Sequence, residues 1–297
     1  MSVVPRAGNG KITVPDIASR KTLLLGDSAG QQKITCLTAY DYPTAQLLDA
    51  GGVDILLVGD SLGMVVLGEE STLGVTMDEM VCHVRAVRRG ARRALVVADM
   101  PYGSFHVSIE DSLRNAIRLV KEGGAEAVKL EGGERRMELI ARLTEAEIPV
   151  LGHIGLTPQS VNALGGFHVQ GKTADGARQL ERDARAVEAA GAFGIVLESI
   201  PRGLAAQITG ELRIPTIGIG AGPDCDGQVL VFHDLVGLTP GHTPKFARRY
   251  ANVAAEISRA AAEYCDDVRA GRFPSDAESF HAAGLPAGSA KGEAKPR

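Results

Sequence analysis

The sequence predicts an α/β fold, a (β/α)₈ TIM barrel in a single domain with mobile N- and C-terminal tails. Three observations predict this fold. The 297 residues suffice for one large barrel with tails. Eight short apolar runs recur along the chain and alternate with segments of helical periodicity. Glycine is frequent, at 36 residues, and stands mostly beside the apolar runs, as is typical of turns between strands and helices.

The predicted strands are continuous apolar runs, which is typical of parallel strands buried on both faces. They cover residues 34–39, 54–58, 95–98, 127–130, 150–152, 194–197, 216–219 and 229–232. The alternative is a doubly wound open sheet, in which a GxGxxG motif usually follows the first strand. The sequence has no such motif there, and the barrel is the preferred arrangement.

The predicted helices lie between these strands and have the apolar spacing of amphipathic helices. They cover residues 43–50, 77–89, 108–122, 135–146, 173–190 and 202–211, and a further helical stretch covers 248–269. Thr76 precedes Asp78 and Glu79, a pattern typical of a helix N-terminus. Gly51 and Gly191 follow the last turns of two helices, where a left-handed residue often ends a helix.

The chain divides into a flexible N-terminus at residues 1–15, a catalytic barrel at 16–272 and a mobile C-terminal tail at 273–297. A short helix from Asp16 is expected to cover the bottom of the barrel. The tail is rich in Ala, Gly, Pro and charged residues, a composition that does not form a packed core.

Composition and charge exclude several classes of function. The 32 Lys and Arg residues against 36 Asp and Glu residues give a net charge of −4, so no general basic field attracts a nucleic acid or an anionic membrane. No apolar stretch approaches the roughly 20 residues that span a bilayer. The N-terminus lacks the features of a secretory signal, and we expect a cytoplasmic location. The four cysteines form no CxxC pair and are expected to be reduced and mostly packed.

Ionisable residues stand at the C-terminal ends of five successive predicted strands, which is the face where barrel enzymes have their active sites. In chain order they are Asp60, Asp99, Lys129 with Glu131, His153 and Glu198. Lys129 and Glu131 are two residues apart on a strand, so both side chains point to the same face and Leu130 points toward the helices. The sequence therefore predicts a polar site at this rim.

Asp60, Asp99 and Glu131 are hard oxygen donors on three adjacent strands. Carboxylates crowded at one rim repel each other unless a cation lies among them, and Mg²⁺ prefers oxygen ligands. Zinc fits less well because His153 is the only nitrogen donor close by. A single acidic residue after a strand often only caps the next helix.

The glycine-rich segment 217–222 resembles a phosphate-binding loop, or is a tight turn that lets another group approach the backbone.

Ordered motifs give the sequence a family resemblance. They are TAYD from Thr38, GDSLGMVVLG from Gly59, ADMPYGSF from Ala98, VKLEGG from Val128, GHIGLTPQ from Gly152, GGFHVQGK from Gly165, LESIP from Leu197, IGIGAG from Ile217 and CDGQVLVFHDLVG from Cys225. With these motifs the chain resembles the ketopantoate hydroxymethyltransferase family over about residues 33–250. The resemblance implies transfer of a one-carbon unit to α-ketoisovalerate in pantothenate synthesis.

The resemblance also implies roles for single residues. Asp60 and Asp99 match the family's Mg²⁺ ligands, and Glu131 completes the metal site directly or through water. Glu198 of the LESIP motif matches the proposed general base. The residues that match substrate-binding positions are Asp60, Ser61, Asp99, Lys129 and His153. The implied cofactor is Mg²⁺, the implied co-substrate is methylenetetrahydrofolate, and the implied assembly is a homodecamer.

The chain departs from the family pattern at few places. His168 follows Phe167 where a basic residue often follows the aromatic one, and Tyr102 stands where Phe is frequent. Three rival functions remain at this stage. A different Mg²⁺-dependent lyase or mutase acting on α-keto acids would use a similar carboxylate rim, and a class I aldolase would use Lys129 as a Schiff base. A ligand-binding barrel without catalysis is the third.

Overall fold

Eight parallel strands form a closed barrel in the order β1 to β8, which confirms the predicted fold. The computed structural model describes residues 10–24, 33–239 and 244–281. The strands are β1 (Ile34–Thr38), β2 (Ile55–Val58), β3 (Leu95–Asp99), β4 (Ala127–Glu131), β5 (Val150–Gly155), β6 (Gly194–Glu198), β7 (Thr216–Ile219) and β8 (Gly227–Leu230). The barrel closes where Ile34 of β1 pairs with Gly227 of β8.

Two strands differ from the predicted ranges by more than one residue at an end. β5 continues to Gly155, three residues beyond the predicted end, so that His153 lies within the strand. β8 begins and ends two residues earlier than the predicted 229–232, because Phe232 already starts a helix. The backbone N–H of Phe232 donates a hydrogen bond of 2.8 Å to Thr38 Oγ1, which turns the chain out of the barrel at this point.

The helices surround the barrel. They are α1 (Val14–Leu24), α2 (Tyr42–Ala50), α3 (Leu62–Val65), α4 (Met77–Gly90), α5 (Ile109–Arg118), α6 (Met137–Glu145), α7 (Val161–Leu164), α8 (Ala174–Ala189), α9 (Arg202–Glu211), α10 (Phe232–Val236) and α11 (Val253–Arg269). The short helices α3, α7 and α10 were not predicted, and α11 begins five residues later than expected. At the N-terminus of α4, Thr76 and Glu79 form a reciprocal capping box, as their sequence pattern predicts.

The core has two layers, because successive side chains of a strand point to opposite faces. One cluster fills the barrel interior and includes Ile55, Val97 and Leu151. The other lies between the strands and the helices and includes Leu130. Since Leu130 faces outward, its neighbours on β4 face the barrel interior, as predicted.

Helix α1 covers the bottom of the barrel, as predicted. Ile17 is fully buried in the interior cluster. Lys21 Nζ lies 2.9 Å from Asp226 Oδ2, just before β8, and Arg20 donates two hydrogen bonds to Asp54, just before β2. Charged pairs at the N-terminal strand ends thus hold α1 in place.

The predicted tails are described only in part. Residues 1–9 and 282–297 lie outside the described residues, so flexibility of the tails stays a prediction. Within the predicted N-terminal segment, Ile12 is buried and its N–H donates a hydrogen bond to Arg93 O, and α1 begins at Val14 rather than Asp16. In the described ranges, no helix is long and apolar enough to cross a membrane.

Candidate active site

All seven predicted site residues line one cavity of about 590 Å³ at the C-terminal ends of the strands. They are Asp60, Ser61, Asp99, Lys129, Glu131, His153 and Glu198. The side chains come from the ends of β2, β3, β4, β5 and β6, because the register of a closed parallel barrel brings these ends to one rim.

Asp99 connects the strands at the centre of the site. Its Oδ2 accepts a hydrogen bond of 3.0 Å from the backbone N–H of Asp60, and its Oδ1 lies 2.8 Å from Lys129 Nζ. All three side chains are almost completely buried. A buried charge that loses its partner is costly, so this pair holds both side chains in place.

The surroundings raise the pKa of both Asp60 and Lys129. A raised pKa favours the neutral form of the Asp60 acid but the charged form of the Lys129 amine. Burial and the carboxylates of Asp99 and Glu131 raise the pKa of Asp60 well above its ordinary value of 3.8. Burial alone lowers the pKa of Lys129, but the surrounding carboxylates outweigh burial and raise that pKa above its ordinary value of 10.5. Lys129 is therefore a stable ammonium ion, whereas a Schiff-base lysine has to lose its proton before it attacks.

His153 stands between Lys129 and two carboxylates. Its Nδ1 lies 3.2 Å from Lys129 Nζ and 3.6 Å from Glu131 Oε1, and its Nε2 lies 3.2 Å from Glu198 Oε2 without the alignment of a hydrogen bond. Burial and the Lys129 ammonium lower the pKa of His153, but contacts with Glu131 and Glu198 raise it to about 9. The Nε2 atom of His153 thus faces the Glu198 carboxylate group across the cavity wall.

The backbone around Glu198 is shaped by a close approach. Its carbonyl accepts a hydrogen bond of 2.8 Å from the N–H of Leu156, and a Cβ at Gly155 would stand 2.2 Å from that carbonyl oxygen. The next residue, Ser199, has φ of +48°, a left-handed conformation that is rare outside glycine. Gly155 and Ser199 thus fix the direction in which β6 presents Glu198 to the cavity.

Gln159 is a site residue that the sequence reasoning missed. Its Nε2 donates hydrogen bonds of 2.7 Å to Asp60 Oδ2 and 3.0 Å to Met100 O, and its backbone N–H donates one of 3.0 Å to Glu131 Oε2. Its Oε1 is buried without a hydrogen-bond partner among the described residues. The GHIGLTPQ motif contains Gln159, but only the fold brings the β5–α7 loop against β2 and β4.

Ser61 is oriented by Tyr40, a residue of the TAYD motif for which the sequence predicted no role. The Tyr40 hydroxyl and Ser61 Oγ lie 2.9 Å apart, and the Tyr40 ring packs against the His233 ring with centroids 5.5 Å apart. Burial raises the pKa of Tyr40, so the phenol stays protonated. Tyr40 therefore acts as a hydrogen-bonding support for Ser61.

The oxygen donor set fits a magnesium ion better than a zinc ion. Within the described residues, no three His, Cys, Asp or Glu side chains are grouped as a ready-made metal centre. Magnesium is usually held by one or two carboxylates, with substrate and water oxygens completing its shell. The raised pKa of Asp60 is a sign of carboxylate crowding that a cation relieves. Asp60 and Asp99, with Glu131 nearby, fit Mg²⁺ when a chelating substrate supplies further oxygens.

The mouth of the cavity is apolar. Phe167, Phe246 and Met64 line it and are each more than a third exposed. Gly220 has φ of +63°, and a Cβ there would stand 2.9 Å from the Phe246 ring. The glycine-rich segment after β7 thus lets an aromatic ring approach the backbone, the second of its two predicted roles. His168 also lines the cavity, whereas Tyr102 does not.

Comparison with known proteins gives close relatives over most of the chain. The model of the family described as ketopantoate hydroxymethyltransferase matches residues 15–276. A 3-methyl-2-oxobutanoate hydroxymethyltransferase of Koribacter versatilis is 58% identical over 272 residues, which cover 91% of this chain and 92% of the relative. One of Pelobacter propionicus is 54% identical over 271 residues, covering 91% and 98%.

Solved structures share the fold at low sequence identity. A phosphonopyruvate hydrolase in complex with oxalate and Mg²⁺ has a TM-score of 0.56 and 16% identity, covering 91% of this chain and 92% of that one. A 2,3-dimethylmalate lyase has a TM-score of 0.56 and 17% identity, covering 91% and 89%. These likenesses concern the fold alone. The family is shown by the match of the family model to residues 15–276 and by relatives that are more than 50% identical in sequence to this chain. The chain is an enzyme of the ketopantoate hydroxymethyltransferase family.

Proposed function

We propose that the enzyme transfers a hydroxymethyl group from methylenetetrahydrofolate to 3-methyl-2-oxobutanoate (α-ketoisovalerate) in a Mg²⁺-dependent, aldol-type reaction that gives ketopantoate. One observation carries the proposal. The Glu198 carboxylate faces the cavity that also holds a carboxylate pair and the Lys129 ammonium. A proton acceptor thus lies opposite groups that stabilise an anion, which is what formation of an enolate requires.

The chain's own residues bind and orient the keto acid. Lys129 and His153 are buried nitrogen donors, and the Ser61 hydroxyl is held by Tyr40. Donors fixed in advance by their surroundings stabilise developing negative charge without having to reorganise. These three side chains therefore hold the carboxylate and keto oxygens of the substrate.

Asp60 and Asp99 would hold the magnesium ion, with Glu131 as a ligand directly or through water. When bound, Mg²⁺ polarises the keto group and makes the neighbouring C–H bond more acidic. Gln159 keeps Asp60 and Glu131 in place through its amide and its backbone N–H.

Glu198 accepts the proton from the carbon next to the keto group, and the electron pair of that C–H bond forms the new bond to the methylene carbon of the folate. Both carbon–nitrogen bonds of that methylene group break, and water supplies the hydroxyl group. The proton taken by Glu198 and the second proton of water go to the two folate nitrogens, which gives tetrahydrofolate and ketopantoate.

The same family membership supports two further proposals. The enzyme assembles as a homodecamer, and it works in the cytoplasm on two small molecules. Light scattering of the purified protein tests the assembly, since a monomer or dimer would contradict it.

The test separates proton removal from carbon transfer. The enzyme is mixed with α-ketoisovalerate and Mg²⁺ in D₂O, the C–H signal is followed by proton NMR, and methylenetetrahydrofolate is then added. We expect loss of the C–H signal that EDTA prevents, followed by ketopantoate. The Glu198→Gln variant is expected to bind the keto acid but to lose exchange, by at least about a hundredfold. Glu181→Gln, at a partly exposed position on α8 outside the cavity, is the matched control.

Three results would contradict the proposal. Exchange without product after folate addition indicates a related keto-acid enzyme with another acceptor. Wild-type exchange in the Glu198→Gln variant assigns the base to another residue. Activity insensitive to EDTA, with substrate trapped on Lys129 by borohydride, indicates a Schiff-base aldolase.

A further inference from the structure

A second cavity, of about 680 Å³, adjoins the active site. It lies between the loops that follow β3, β4 and β5 and the outer side of α8. Glu131 lines both cavities. Gln159 lines the second cavity, while its amide donates to Asp60 in the first. The two cavities therefore share a wall made by Glu131 and Gln159.

Flat groups are stacked along one side of the second cavity. The rings of Phe105 and His106 have centroids 4.2 Å apart, and the Arg136 guanidinium lies 4.9 Å from the centre of the Phe105 ring. All three line the cavity, with Phe105 buried and His106 exposed. Because Phe105 is buried beneath His106 and Arg136, the exposed His106 ring is the planar face that an aromatic or amide group of a ligand can contact.

The cavity also holds basic charge without an acidic partner. Across the described ranges, neither Arg135 nor Arg136 forms an ion pair, and the Arg136 guanidinium makes one long hydrogen bond of 3.4 Å to Phe105 O. Burial and the neighbouring Arg135 lower the pKa of Arg136 below its ordinary value of 12.5. A half-buried guanidinium in this situation gains from an incoming carboxylate, which it can bind through two parallel hydrogen bonds.

The acidic residues of the cavity are already engaged. Asp183 Oδ1 accepts hydrogen bonds of 2.9 Å from Glu134 N and 3.1 Å from Gln179 Nε2. The exposed Glu134 carboxylate lies 3.4 Å from the same Gln179 amide. Glu131 accepts from the Gln159 backbone. Each of these carboxylates thus has a hydrogen-bond donor, whereas Arg135 and Arg136 have no carboxylate partner among the described residues and are the groups that an incoming carboxylate would pair with.

We propose that this second cavity binds the p-aminobenzoylglutamate part of the folate co-substrate, with its aryl amide on the exposed His106 ring and its carboxylates on Arg136 and Arg135. The inference rests on the proposed function, because that function makes a reduced folate the donor. In the donor, the aryl ring is attached to a nitrogen that carries the reacting methylene group. The aryl ring must then lie beside the keto-acid cavity, and the glutamate carboxylates beyond it, which matches a cavity with a shared wall.

The test uses two donors and a variant of the arginine. Arg136→Met keeps most of the side chain's length but removes its charge, and Arg142→Met on α6 is the matched control, since Arg142 is exposed and pairs with Glu145. The donors are methylenetetrahydrofolate and methylenetetrahydropteroate, which lacks the glutamate. We expect Arg136→Met to raise the KM for methylenetetrahydrofolate about tenfold or more, the usual loss for a charge-assisted pair.

Two further readouts separate binding of the glutamate from a merely structural effect. The wild-type enzyme is expected to prefer the donor with glutamate, and the Arg136→Met variant to lose this preference. Exchange of the α-ketoisovalerate C–H in D₂O needs no folate and is expected to stay at the wild-type rate. If Arg136→Met does not fold, Arg135→Met at the exposed neighbouring position is measured in the same way.

The inference is overturned if the variants keep the wild-type preference for the donor with glutamate, or if exchange falls as much as folate-dependent turnover. Failure of the proposed function is recognised separately, because the wild-type enzyme would then show no folate-dependent product at all.

Discussion

Replacement of Gln159 by Leu tests whether one buried amide organises the carboxylates that we propose as magnesium ligands. Leucine has a similar size but donates no hydrogen bonds. The substitution removes the 2.7 Å bond to Asp60 and the 3.0 Å bond to Met100 O. It leaves the backbone bond to Glu131 in place, because that bond does not depend on the side chain.

The expected magnitude follows from these contacts. A hydrogen bond to a charged group contributes about 1.5–3 kcal/mol and one to a neutral carbonyl about 1 kcal/mol. The loss is limited because Asp60, whose pKa is already raised, can take up a proton when the amide is gone. We expect the metal-free protein to lose about 2 kcal/mol of unfolding free energy. Loss of a residue that orients metal ligands typically weakens metal binding by about 10–100-fold, which is about 1.4–2.7 kcal/mol.

The assay is titration of the metal-free enzyme with Mn²⁺, followed by electron paramagnetic resonance of the free ion, together with urea unfolding. Gln207→Leu is the matched control. Gln207 also donates hydrogen bonds to two carboxylates, Glu181 and Glu211, each at 3.1 Å, but it lies on the exposed surface of α9. That variant is expected to change the unfolding free energy by less than about 0.5 kcal/mol and Mn²⁺ affinity not at all.

Mn²⁺ affinity within twofold of the wild type in the Gln159→Leu variant would refute the reasoning. It would mean that Asp60 keeps its orientation without the amide, or that the ion binds elsewhere. Equal losses in the Gln207→Leu control would refute it too, since buried and exposed amides would then have the same effect.

Two further predictions concern helix α1, which covers the bottom of the barrel. Lys21→Met leaves Asp226 buried without its ammonium partner, and we expect a loss of about 3–5 kcal/mol in urea unfolding; a loss below about 1 kcal/mol would contradict the role of this pair. Burial raises the pKa of Asp54, but Arg20 and Thr35 outweigh burial and lower it below 3.8. This contribution to stability is therefore present above the unfolded-state pKa and lost as the pH falls through the lower folded-state value. The difference in unfolding free energy between the wild type and the Arg20→Met variant should be constant above about pH 5 and shrink below about pH 4. A difference that does not change with pH would contradict the role of the Arg20–Asp54 pair.

The barrel and the rim residues were predictable because both follow from local sequence. Parallel strands buried on both faces are continuous apolar runs. Their C-terminal ends meet at one rim in any closed barrel, so polar residues after strands predicted a site without further knowledge. The alternation of side chains along a strand put Lys129 and Glu131 in the cavity and Leu130 outside it.

The extent of β8 and the short helices was less predictable. Phe232 reads as the end of an apolar run, but a hydrogen bond to Thr38, 194 residues earlier in the chain, ends the strand before it. The helices α3, α7 and α10 have four or five residues, too few for a periodic pattern to appear.

The sequence by itself determined the architecture, the family and seven residues that line the candidate site, because each rests on local pattern or on an ordered motif. Only the tertiary structure decided which charges pair, that Gln159 joins two carboxylates, and that Arg136 faces a second cavity without an acidic partner. Such contacts join residues far apart in the chain, as Gln159 bonds to Asp60 across 99 positions and Lys21 pairs with Asp226 across 205. They depend on barrel register and loop packing, which no local pattern encodes.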